Sequence, residues 1–442
     1  MSQALSALPL RPTRRMLAFS LVLLPVALVP TLLGGALWAI WAAALSGLAL
    51  LFVADALLAL PVRRLRAEVT APAQLYIGES DETTVALEAP GTRARIRGVL
   101  DLDPEWLPIP PVVAALVGAP ILRFPLRARR RGALVLEQLW LRWTGPLGLS
   151  ERRAVLPLGR TVAVVPNLRA VHQAGIRFFS ARDPWAGLRV ERYVGDGSEF
   201  ETLREYVRGM DHRAIDWKSS ARHRKLLCAE FRAERNHQVV VALDTGHLMS
   251  EPLGGMPRLD HAISAALLLA YVSLHTGDRV GLFAFDQRMR AWSAPAGSLG
   301  AFSRLEAQSA ELDYSSGETN FTLGLAELAT RLARRSLVVL FTDFTDTVTA
   351  ELMVENLARI ARKHLVLFVA LRDPALAALS RQAPDALPDV YRAVVADDLL
   401  RERDLVLRRI QRLGVHCIDA LPEHAGPRLI DRYLEVKRRE MV

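Results

Sequence analysis

Residues 197–244 read GSEFETLREYVRGMDHRAIDWKSSARHRKLLCAEFRAERNHQVVVALD, and their character changes abruptly near the end. Nine Lys/Arg and six Asp/Glu lie between Glu201 and Arg235. Aromatic side chains stand among these charges, at Phe200, Tyr206, Trp217 and Phe231. An apolar run at residues 239–243 follows, and Asp244 comes directly after it. A charged segment that leads into a short apolar run and then a carboxylate predicts a buried strand that opens an α/β domain.

The chain beyond this strand alternates short apolar runs with helical patterns. Further apolar runs stand at residues 279–285, 337–341, 365–371 and 415–418. Helical patterns separate them, at residues 258–275, 299–310, 321–334, 348–363, 389–413 and 425–439. Apolar runs of this length between helices are typical of a parallel sheet covered on both faces. The fold class predicted for this part is therefore α/β, with a doubly wound, mostly parallel sheet.

Acidic residues follow three of the predicted strands. Asp244 and Asp286 each come directly after an apolar run, and Asp343 follows the run at residues 337–341 after one threonine. Thr319 lies in a loop that enters a predicted helix. Doubly wound sheets bind ligands at the carboxyl ends of their strands. The sequence therefore predicts that any binding site of this domain lies at that edge.

The N-terminal part predicts a membrane anchor. Residues 16–33 contain no charge, and residues 36–60 are broken only by Asp55. Each stretch is near the roughly 20 residues that a membrane-spanning helix needs, so residues 1–61 are predicted to form a two-helix transmembrane hairpin. The functional interpretation of Asp55 is a proton or partner site. The alternative is that its side chain reaches towards basic residues that follow the hairpin.

Basic residues flank this predicted hairpin on both sides. They are Arg11, Arg14 and Arg15 before it and Arg63, Arg64 and Arg66 after it. The loop between the two stretches is uncharged, so the positive-inside rule places both ends in the cytoplasm. The predicted location is the inner membrane of a bacterium, as a multi-pass protein whose large domains are cytoplasmic.

Residues 62–165 differ from both neighbours. Short alternating segments punctuated by Gly and Pro replace the long apolar runs, which predicts a small antiparallel β-sandwich. An arginine-rich turn at residues 127–131 is interpreted either as a solvated turn or as a contact with lipid headgroups. Residues 166–237 then form a signature segment, which links this domain to the α/β domain at residues 238–442.

Composition narrows the environment of the protein. Two cysteines, Cys228 and Cys417, do not make a disulfide framework and indicate a reducing compartment. The net charge of +9 favours anionic neighbours such as phospholipid, nucleic acid or an acidic protein face. The alternative is a general use of Arg in place of Lys, which implies no particular partner.

The signature segment also carries a family resemblance. The residues concerned are Phe200, Leu203, Arg204, Tyr206, Gly209, Asp211, Arg213, Ile215, Asp216, Trp217, Lys218, Ala221, Arg222, Glu230 and Phe231. This pattern, followed by a strand ending in Asp, resembles the domain-of-unknown-function 58 family of bacterial proteins. The resemblance implies that the α/β domain is similar to a von Willebrand factor A domain.

Von Willebrand A domains hold a divalent ion at the strand tips through Asp-x-Ser-x-Ser, a Thr and a second Asp. Asp244, Thr319 and Asp343 match that pattern, whereas Gly246 and Leu248 stand where the two serines belong. Mg²⁺ needs nearly octahedral oxygen coordination, so the loss of two hydroxyls predicts a degraded site that binds Mg²⁺ weakly or not at all. No cofactor is predicted with certainty. The alternative is that both carboxylates accept hydrogen bonds from backbone N–H groups of the following loops.

The charged signature residues have two interpretations. One is an internal network of Arg–carboxylate pairs with Trp217 packed against the sheet. The other is a surface that binds a partner protein. The residues assigned to one or other of these roles are Arg204, Tyr206, Asp211, Arg213, Asp216, Trp217, Lys218, Arg222 and Glu230.

The predicted function is that of a membrane-anchored cytoplasmic adaptor without enzymatic activity. The family resemblance implies work with a MoxR-type AAA+ ATPase on an unknown client protein or complex. No nucleic acid is expected as a partner. One alternative is a metal-dependent nuclease or phosphoesterase that uses Asp216, Lys218 and Glu230. Another is a structural cell-envelope factor that has no ATPase partner.

Overall fold

The computed structural model describes residues 6–27, 37–88, 96–102, 112–115, 121–181, 194–207, 215–232, 237–345, 347–383 and 386–439. The chain forms two compact units, Met1–Asn167 and Leu168–Val442.

In the described part of the first unit the chain forms ten strands, β1 to β10, which together are called the β-domain. They are β1 (Ser6–Ala7), β2 (Arg11–Pro12), β3 (Arg66–Thr70), β4 (Gln74–Tyr76), β5 (Ser80–Glu88), β6 (Ile96–Asp101), β7 (Val112–Ala115), β8 (Ile121–Arg127), β9 (Gly132–Thr144) and β10 (Ser150–Val165). Two helices, α1 (Arg14–Val26) and α2 (Leu37–Leu58), and a 3₁₀ turn at Val62–Arg64 complete the unit.

These strands form two sheets whose pairing is almost entirely antiparallel. The larger sheet has the order β1-β10-β9-β6-β7, with β2 and β4 also paired to β10, and the smaller has the order β3-β5-β8. Among the described strands of this unit, only β4 and β10 pair in parallel. The sheets face each other closely at Gly98 of β6, where a Cβ would lie 2.8 Å from Leu122 and 3.0 Å from Phe124 of β8.

The prediction of two membrane-spanning helices is wrong in one respect. Within the described residues, α2 is the one helix long and apolar enough to cross a membrane. Helix α1 has 13 residues, about 20 Å at 1.5 Å per residue. It begins where Thr13 caps it and ends at Val26, one residue after Pro25. The two helices touch, because Trp41 Nε1 donates to the Leu23 carbonyl at 2.9 Å.

Both helices connect to the same edge of the β-domain. Before α1, strands β1 and β2 pair with β10. After α2, Trp143 Nε1 donates to the Leu60 carbonyl at 3.0 Å, and Arg152 Nη2 donates to the Ala56 carbonyl at 2.7 Å. The chain thus enters α1 and leaves α2 at one end of this unit.

Asp55 of α2 has a partner that the sequence did not indicate. Its carboxylate is buried and accepts hydrogen bonds from the turn between β9 and β10, including the N–H groups of Leu147 and Ser150, both at 2.6 Å. The hypothesis that Asp55 reaches towards Arg63 or Arg64 is therefore wrong. Backbone N–H groups that are fixed next to the carboxylate satisfy it without any cation.

The arginine-rich turn at residues 127–131 lies at the opposite end of the β-domain. Strand β9 runs for 13 residues between that turn and the turn that holds Asp55, a length of about 44 Å in extended chain. The turn therefore lies far from the end of α2, and contact with the headgroups of the same membrane is not supported.

The second unit begins with helix α3 (Leu168–Ala181) and continues as an α/β domain. Its strands are β11 (Val194–Glu205), β12 (Leu227–Arg232), β13 (Gln238–Asp244), β14 (Pro252–Leu253), β15 (Met256–Pro257), β16 (Arg279–Phe285), β17 (Met289–Ala296), β18 (Leu337–Phe341), β19 (Leu365–Leu371) and β20 (His416–Ala420). Its other helices are α4 (Trp217–His223), α5 (His247–Ser250), α6 (Arg258–His275), α7 (Leu299–Ala310), α8 (Phe321–Arg331), α9 (Thr349–Ala361), α10 (Pro374–Arg381), α11 (Leu387–Arg412) and α12 (Pro422–Arg438).

The main sheet of this unit has the order β17-β16-β13-β18-β19-β20. All neighbours run parallel except the edge strand β17, which pairs antiparallel with β16. The prediction of a doubly wound, mostly parallel sheet is confirmed. The strand order reverses between β13 and β18, so the carboxyl ends of these two strands form the crevice where such sheets bind ligands.

Apolar side chains fill the space on both faces of the sheet. Alternate residues of β13 point to opposite sides, so Val239, Val241 and Leu243 pack with α6 and α12. Val240 and Ala242 pack on the other side with α8, α9 and α11. Burial on both faces explains why these strands read as continuous apolar runs.

The signature segment forms a strand pair and a short helix. Strands β11 and β12 are antiparallel, with Phe200 opposite Phe231. Residues 200–205 are extended and belong to this strand pair. Helix α4 begins at Trp217, directly after Asp216, and ends at His223.

Candidate functional site

Asp244 lies at the tip of β13 in the crevice, where it is buried and fully hydrogen-bonded. Its Oδ1 accepts from the Gly246 N–H at 2.8 Å and from Thr319 Oγ1 at 2.6 Å. Its Oδ2 accepts from Thr342 Oγ1 at 2.5 Å. The sequence pointed to Thr319 but not to Thr342, whose only signal is that it precedes Asp343 at the end of the adjacent strand. Asp244, Thr319, Thr342 and Asp343 are called the strand-tip site.

Burial has the largest effect on the pKa of Asp244. Loss of solvation raises the pKa of Asp244 from 3.8 to about 6, although hydrogen bonds from Thr319, Thr342 and Gly246 favour the charged form. The negative charge of Asp286 raises this pKa further. A carboxylate that changes charge near neutral pH is therefore built into the centre of the domain.

We expect this carboxylate to make stability depend on pH. Because the folded-state pKa is raised, the stabilising contribution of Asp244 is fully present below pH 3.8 and is lost as the pH rises through about 6. The free energy of unfolding should fall by about 3 kcal/mol across this window, at 1.36 kcal/mol per pKa unit. Denaturant unfolding of the full chain in detergent, measured from about pH 4 to about pH 7.5, checks this. Asp244→Asn should remove that part of the slope, and an unchanged slope in the variant would contradict the assignment.

Asp343, at the tip of β18, is held by two arginines. Arg403 Nη1 of α11 donates to Asp343 Oδ1 at 2.6 Å, and the Phe344 N–H donates to the same oxygen at 2.9 Å. Arg258 Nε, at the start of α6, lies 3.0 Å from Asp343 Oδ2 as an ion pair. Neither arginine was indicated by the sequence, because each is brought to Asp343 by the packing of a separate helix.

Arg403 is itself largely buried and satisfied. It also approaches Asp419 Oδ1 with Nη2 at 3.2 Å and donates to the Leu371 carbonyl at 3.1 Å. Its guanidinium lies over the Phe344 ring, 5.3 Å from the centroid, a favourable cation–π arrangement. Burial disfavours the charge, but Asp343 and Asp419 outweigh it and raise the pKa of Arg403.

The residues at this edge do not fit a divalent ion. Asp244 faces hydroxyl and N–H donors, and Asp343 already faces two cations, so the donor set that an ion would need is engaged internally. A Cβ at Gly246 would lie 2.0 Å from Thr319 Oγ1, so a serine there would displace Thr319. Within the described residues, no group of three or more His, Cys, Asp or Glu could hold a metal.

Asp286 has a separate structural role at the end of β16. It accepts hydrogen bonds from Arg290 Nε at 2.7 Å and from the Arg288 N–H at 3.2 Å. Burial alone would raise the pKa of Asp286, but these hydrogen bonds outweigh it and hold that pKa below its ordinary value. The carboxylate thereby closes the β16–β17 hairpin.

Asp216 of the signature segment caps helix α4. Its carboxylate accepts from Ser219 Oγ at 2.7 Å and from the N–H groups of Ser219 and Lys218 at 3.1 and 3.0 Å. The hydrogen bond from the Ser219 hydroxyl is the largest cause that lowers the pKa of Asp216. The carboxylate thus serves an N-cap, which differs from the predicted pairing with arginine.

The other signature residues are spread over several elements. Arg204 of β11 is exposed and Tyr206 is half-buried, whereas Lys218 and Arg222 are exposed on α4. Glu230 lies on β12, where its backbone is in register with Thr202. Two further predicted members, Asp211 and Arg213, lie outside the described residues.

Trp217 contradicts the packing predicted for it. Its side chain is 68% exposed at the first position of α4, so it is not packed against the sheet. We expect Trp217→Ala to change the free energy of unfolding by less than about 0.5 kcal/mol, the usual range for surface substitutions. Thermal unfolding of the full chain in detergent measures this. A loss of several kcal/mol would show that the ring is buried in the folded protein.

Part of the chain matches a known protein family. Residues 202–403 match the family described as "Protein of unknown function DUF58". No curated protein matches the chain.

Three solved structures are similar to part of it. The conserved hypothetical protein BatB from Bacteroides thetaiotaomicron has 14% identity, covers 46% of this chain and 100% of its own, and has a TM-score of 0.31. An uncharacterized membrane spanning protein from Vibrio fischeri has 13% identity, and the match covers 46% of this chain and 98% of that protein, with a TM-score of 0.17. The RO (RSR) protein of Deinococcus radiodurans has 16% identity, and the match covers 36% of this chain and 34% of that protein, with a TM-score of 0.19. The part of the chain that matches this family, residues 202–403, includes the whole strand-tip site and both arginines that hold Asp343.

Proposed function

We propose that this protein is a membrane-anchored cytoplasmic adaptor that binds a partner protein and makes or breaks no bond itself. The partner that the family resemblance implies is a MoxR-type AAA+ ATPase, with which it would assemble or remodel a client complex. The single observation that carries the proposal is a groove between α9 and α11 that combines an apolar floor with a basic rim.

The groove has a volume of about 340 Å³. It is lined by Thr347, Ala350, Val354, Leu405, Val406, Arg408, Arg409 and Arg412. Large apolar side chains stand exposed on the same two helices, at Leu352 with 59% and Leu405 with 55% exposure. Val348, directly before α9, is 78% exposed. Of these three, Leu405 lines the groove itself, and exposed apolar side chains at a groove mark protein contacts more often than scattered ones do.

The charges on the rim select the partner. Arg409 forms an ion pair with Glu351 at 3.3 Å. Arg408 and Arg412 have no carboxylate within ion-pair distance in the part of the chain that the structure describes. A rim with two uncompensated cations around apolar residues is complementary to an acidic segment that carries apolar side chains. The proposed occupant is such a segment of the ATPase.

The groove is physically connected to the strand-tip site. Arg403, which binds Asp343, precedes Leu405 on α11 by two residues. Thr347 of the groove belongs to the loop that follows Asp343. Binding in the groove would therefore act on helices that the Asp343–Arg403 pair holds in place.

Membrane attachment would come from α2, whose apolar side chains are largely exposed. The basic residues around the helices favour a cytoplasmic location for both large units, and both helices meet one end of the β-domain. Protease added outside intact cells should therefore leave residues 70–442 uncleaved. Cleavage of these residues from outside would overturn the proposed orientation.

Site-specific photo-crosslinking tests the groove. A photoreactive amino acid at Leu405 should form a cross-link to the MoxR-type ATPase of the same cell in native membranes. The control position is Ile176 on α3, which is 60% exposed and lies on the helix that packs against α6, on the other face of the sheet. The double variant Arg408→Glu, Arg412→Glu should abolish the cross-link.

A matched charge-reversal variant distinguishes specific binding in the groove from general electrostatic attraction. Arg359→Glu on α9 changes an exposed arginine that pairs with Glu355, and it should leave the cross-link intact. Equal cross-linking from Leu405 and Ile176, or from neither position, would reject the groove as the ATPase site.

A further inference from the structure

The turn between β9 and β10 is held by both helices of the first unit. This turn, residues 145–149, is called the β9–β10 tip. On one side Asp55 of α2 accepts hydrogen bonds from the N–H groups of Leu147 and Leu149 at 2.6 and 2.9 Å. It also accepts from the N–H and the hydroxyl of Ser150, at 2.6 and 2.7 Å. Asp55 has no accessible surface, so the tip covers it completely.

On the other side the tip meets the start of α1. Thr13, which caps α1, donates from Oγ1 to the Gly148 carbonyl at 2.7 Å and from its N–H to the Leu149 carbonyl at 2.9 Å. The tip is therefore wedged between the ends of the two helices. Gly145 fits closely here, because a Cβ at that position would lie 2.5 Å from the Asp55 carboxylate.

The depth of Asp55 in the membrane determines the depth of the β9–β10 tip. Helix α2 remains apolar beyond Asp55, and Leu57 and Leu58 are 77% and 70% exposed. Exposed leucines of a membrane helix face lipid, so the apolar layer extends at least to Leu58. A tip that covers Asp55, three residues earlier, must then lie at the same depth. It presents an apolar side chain there, because Leu147 is about half exposed.

Basic side chains flank the two helix ends that hold the tip. Arg14 and Arg15 at the start of α1 and Arg63 and Arg64 after α2 are exposed. None has a carboxylate within ion-pair distance among the residues that the structure describes. Arginines next to an apolar surface at the end of a membrane helix suit the phosphates of anionic lipids.

From this arrangement we infer that the β9–β10 tip is a lipid-binding element, with Leu147 among the acyl chains and the four arginines on the phosphates of anionic phospholipid. This inference rests on the anchoring role proposed for α2. It also explains why a carboxylate is tolerated in an apolar helix: the tip brings backbone N–H groups into the membrane interface, and Asp55 satisfies them there.

Lipid quenching of a fluorescent label tests the inference. The full chain, with Cys228→Ala and Cys417→Ala, receives Leu147→Cys labelled with the fluorophore NBD and is placed in vesicles of phosphatidylcholine and phosphatidylglycerol. A nitroxide attached high on a lipid acyl chain should remove most of the emission, whereas iodide in the water should remove little. Quenching by lipid should weaken in pure phosphatidylcholine, and the double variant Arg63→Gln, Arg64→Gln should abolish this difference.

The control label is Val135→Cys, an exposed position on β9. It lies nine residues before Thr144 and thus roughly 30 Å from the tip in extended chain. It should respond to iodide and not to the lipid nitroxide. If Leu147→Cys does not fold, Pro146→Cys, the exposed neighbour on the tip, takes the label in its place.

The outcomes separate the inference from the proposed anchor. If the protein floats with the vesicles but the tip label is quenched by iodide alone, the inference is overturned and the anchor stands. If lipid quenching is equal with and without phosphatidylglycerol, the role of the arginines is overturned. If the protein does not float with vesicles, the anchoring by α2 fails, and the inference fails with it.

Discussion

Asp55→Ala is expected to detach helix α2 from the β-domain and to lower the free energy of unfolding of the first unit by about 3 kcal/mol or more. The variant leaves three N–H groups and the Ser150 hydroxyl without their acceptor. Each buried donor left unsatisfied costs about 1–3 kcal/mol, and these costs do not simply add because the tip can move. Denaturant unfolding of the full chain in detergent, together with hydrogen exchange of the Leu147 and Ser150 amides, measures the effect.

Two variants show whether the loss comes from the hydrogen bonds of Asp55. Asp55→Asn keeps one carbonyl oxygen and should cost less than Asp55→Ala. Asp101→Ala removes an exposed carboxylate of the same unit, which accepts one long hydrogen bond from Trp140 Nε1 at 3.4 Å, and it should have little effect. Wild-type stability and unchanged amide exchange in Asp55→Ala would show that the tip does not depend on Asp55.

The second large effect is expected at the strand-tip site. Arg403→Ala should destabilise the protein by about 3–5 kcal/mol, the usual cost of removing one partner of a buried ion pair. Asp343 and Asp419 both lose their shared cation, and only Arg258 remains beside Asp343. Denaturant unfolding of the full chain in detergent measures the loss.

Arg372→Ala is the matched control for this experiment. Arg372 binds the same Asp419 at 2.5 Å, but its side chain is 47% exposed. Exposed ion pairs contribute about 0–1 kcal/mol, so this variant should lose far less stability than Arg403→Ala. Equal losses in the two variants would mean that burial of the Asp343–Arg403 pair does not determine its strength.

The same measurements test whether Mg²⁺ plays any part. Millimolar Mg²⁺ and a chelator should give the same unfolding curve for the unmodified protein, because the carboxylates are already bound by arginines and hydroxyls. An ion that binds only the folded state would stabilise it by about 2.7 kcal/mol at a hundredfold excess over its dissociation constant. A Mg²⁺-dependent gain that is lost in Asp343→Ala would show that a metal site forms despite these contacts.

Local sequence was sufficient for the architecture of the second unit. Strands such as β13 and β18 are buried on both faces, so they must be apolar throughout, and this property is readable without any structure. Parallel strands also end at one edge, which is why Asp244 and Asp343 could be placed near each other from the sequence alone, whereas the place of Thr319 was implied by the family resemblance. The edge strand β17 was missed, because its residues are less apolar and include Pro295.

Only the tertiary structure determines which side chains and amides from distant parts of the chain contact each other. Asp343 binds Arg403, which is 60 residues away, and Asp55 binds amides 92 to 95 residues away. Trp217 appeared to be a core residue because it is large and aromatic, yet its place at the start of α4 leaves it in solvent. Periodicity encodes which side of an element is buried, because that depends on near neighbours in sequence. It does not encode which charge or amide will meet a given carboxylate, because that depends on how whole helices and hairpins pack.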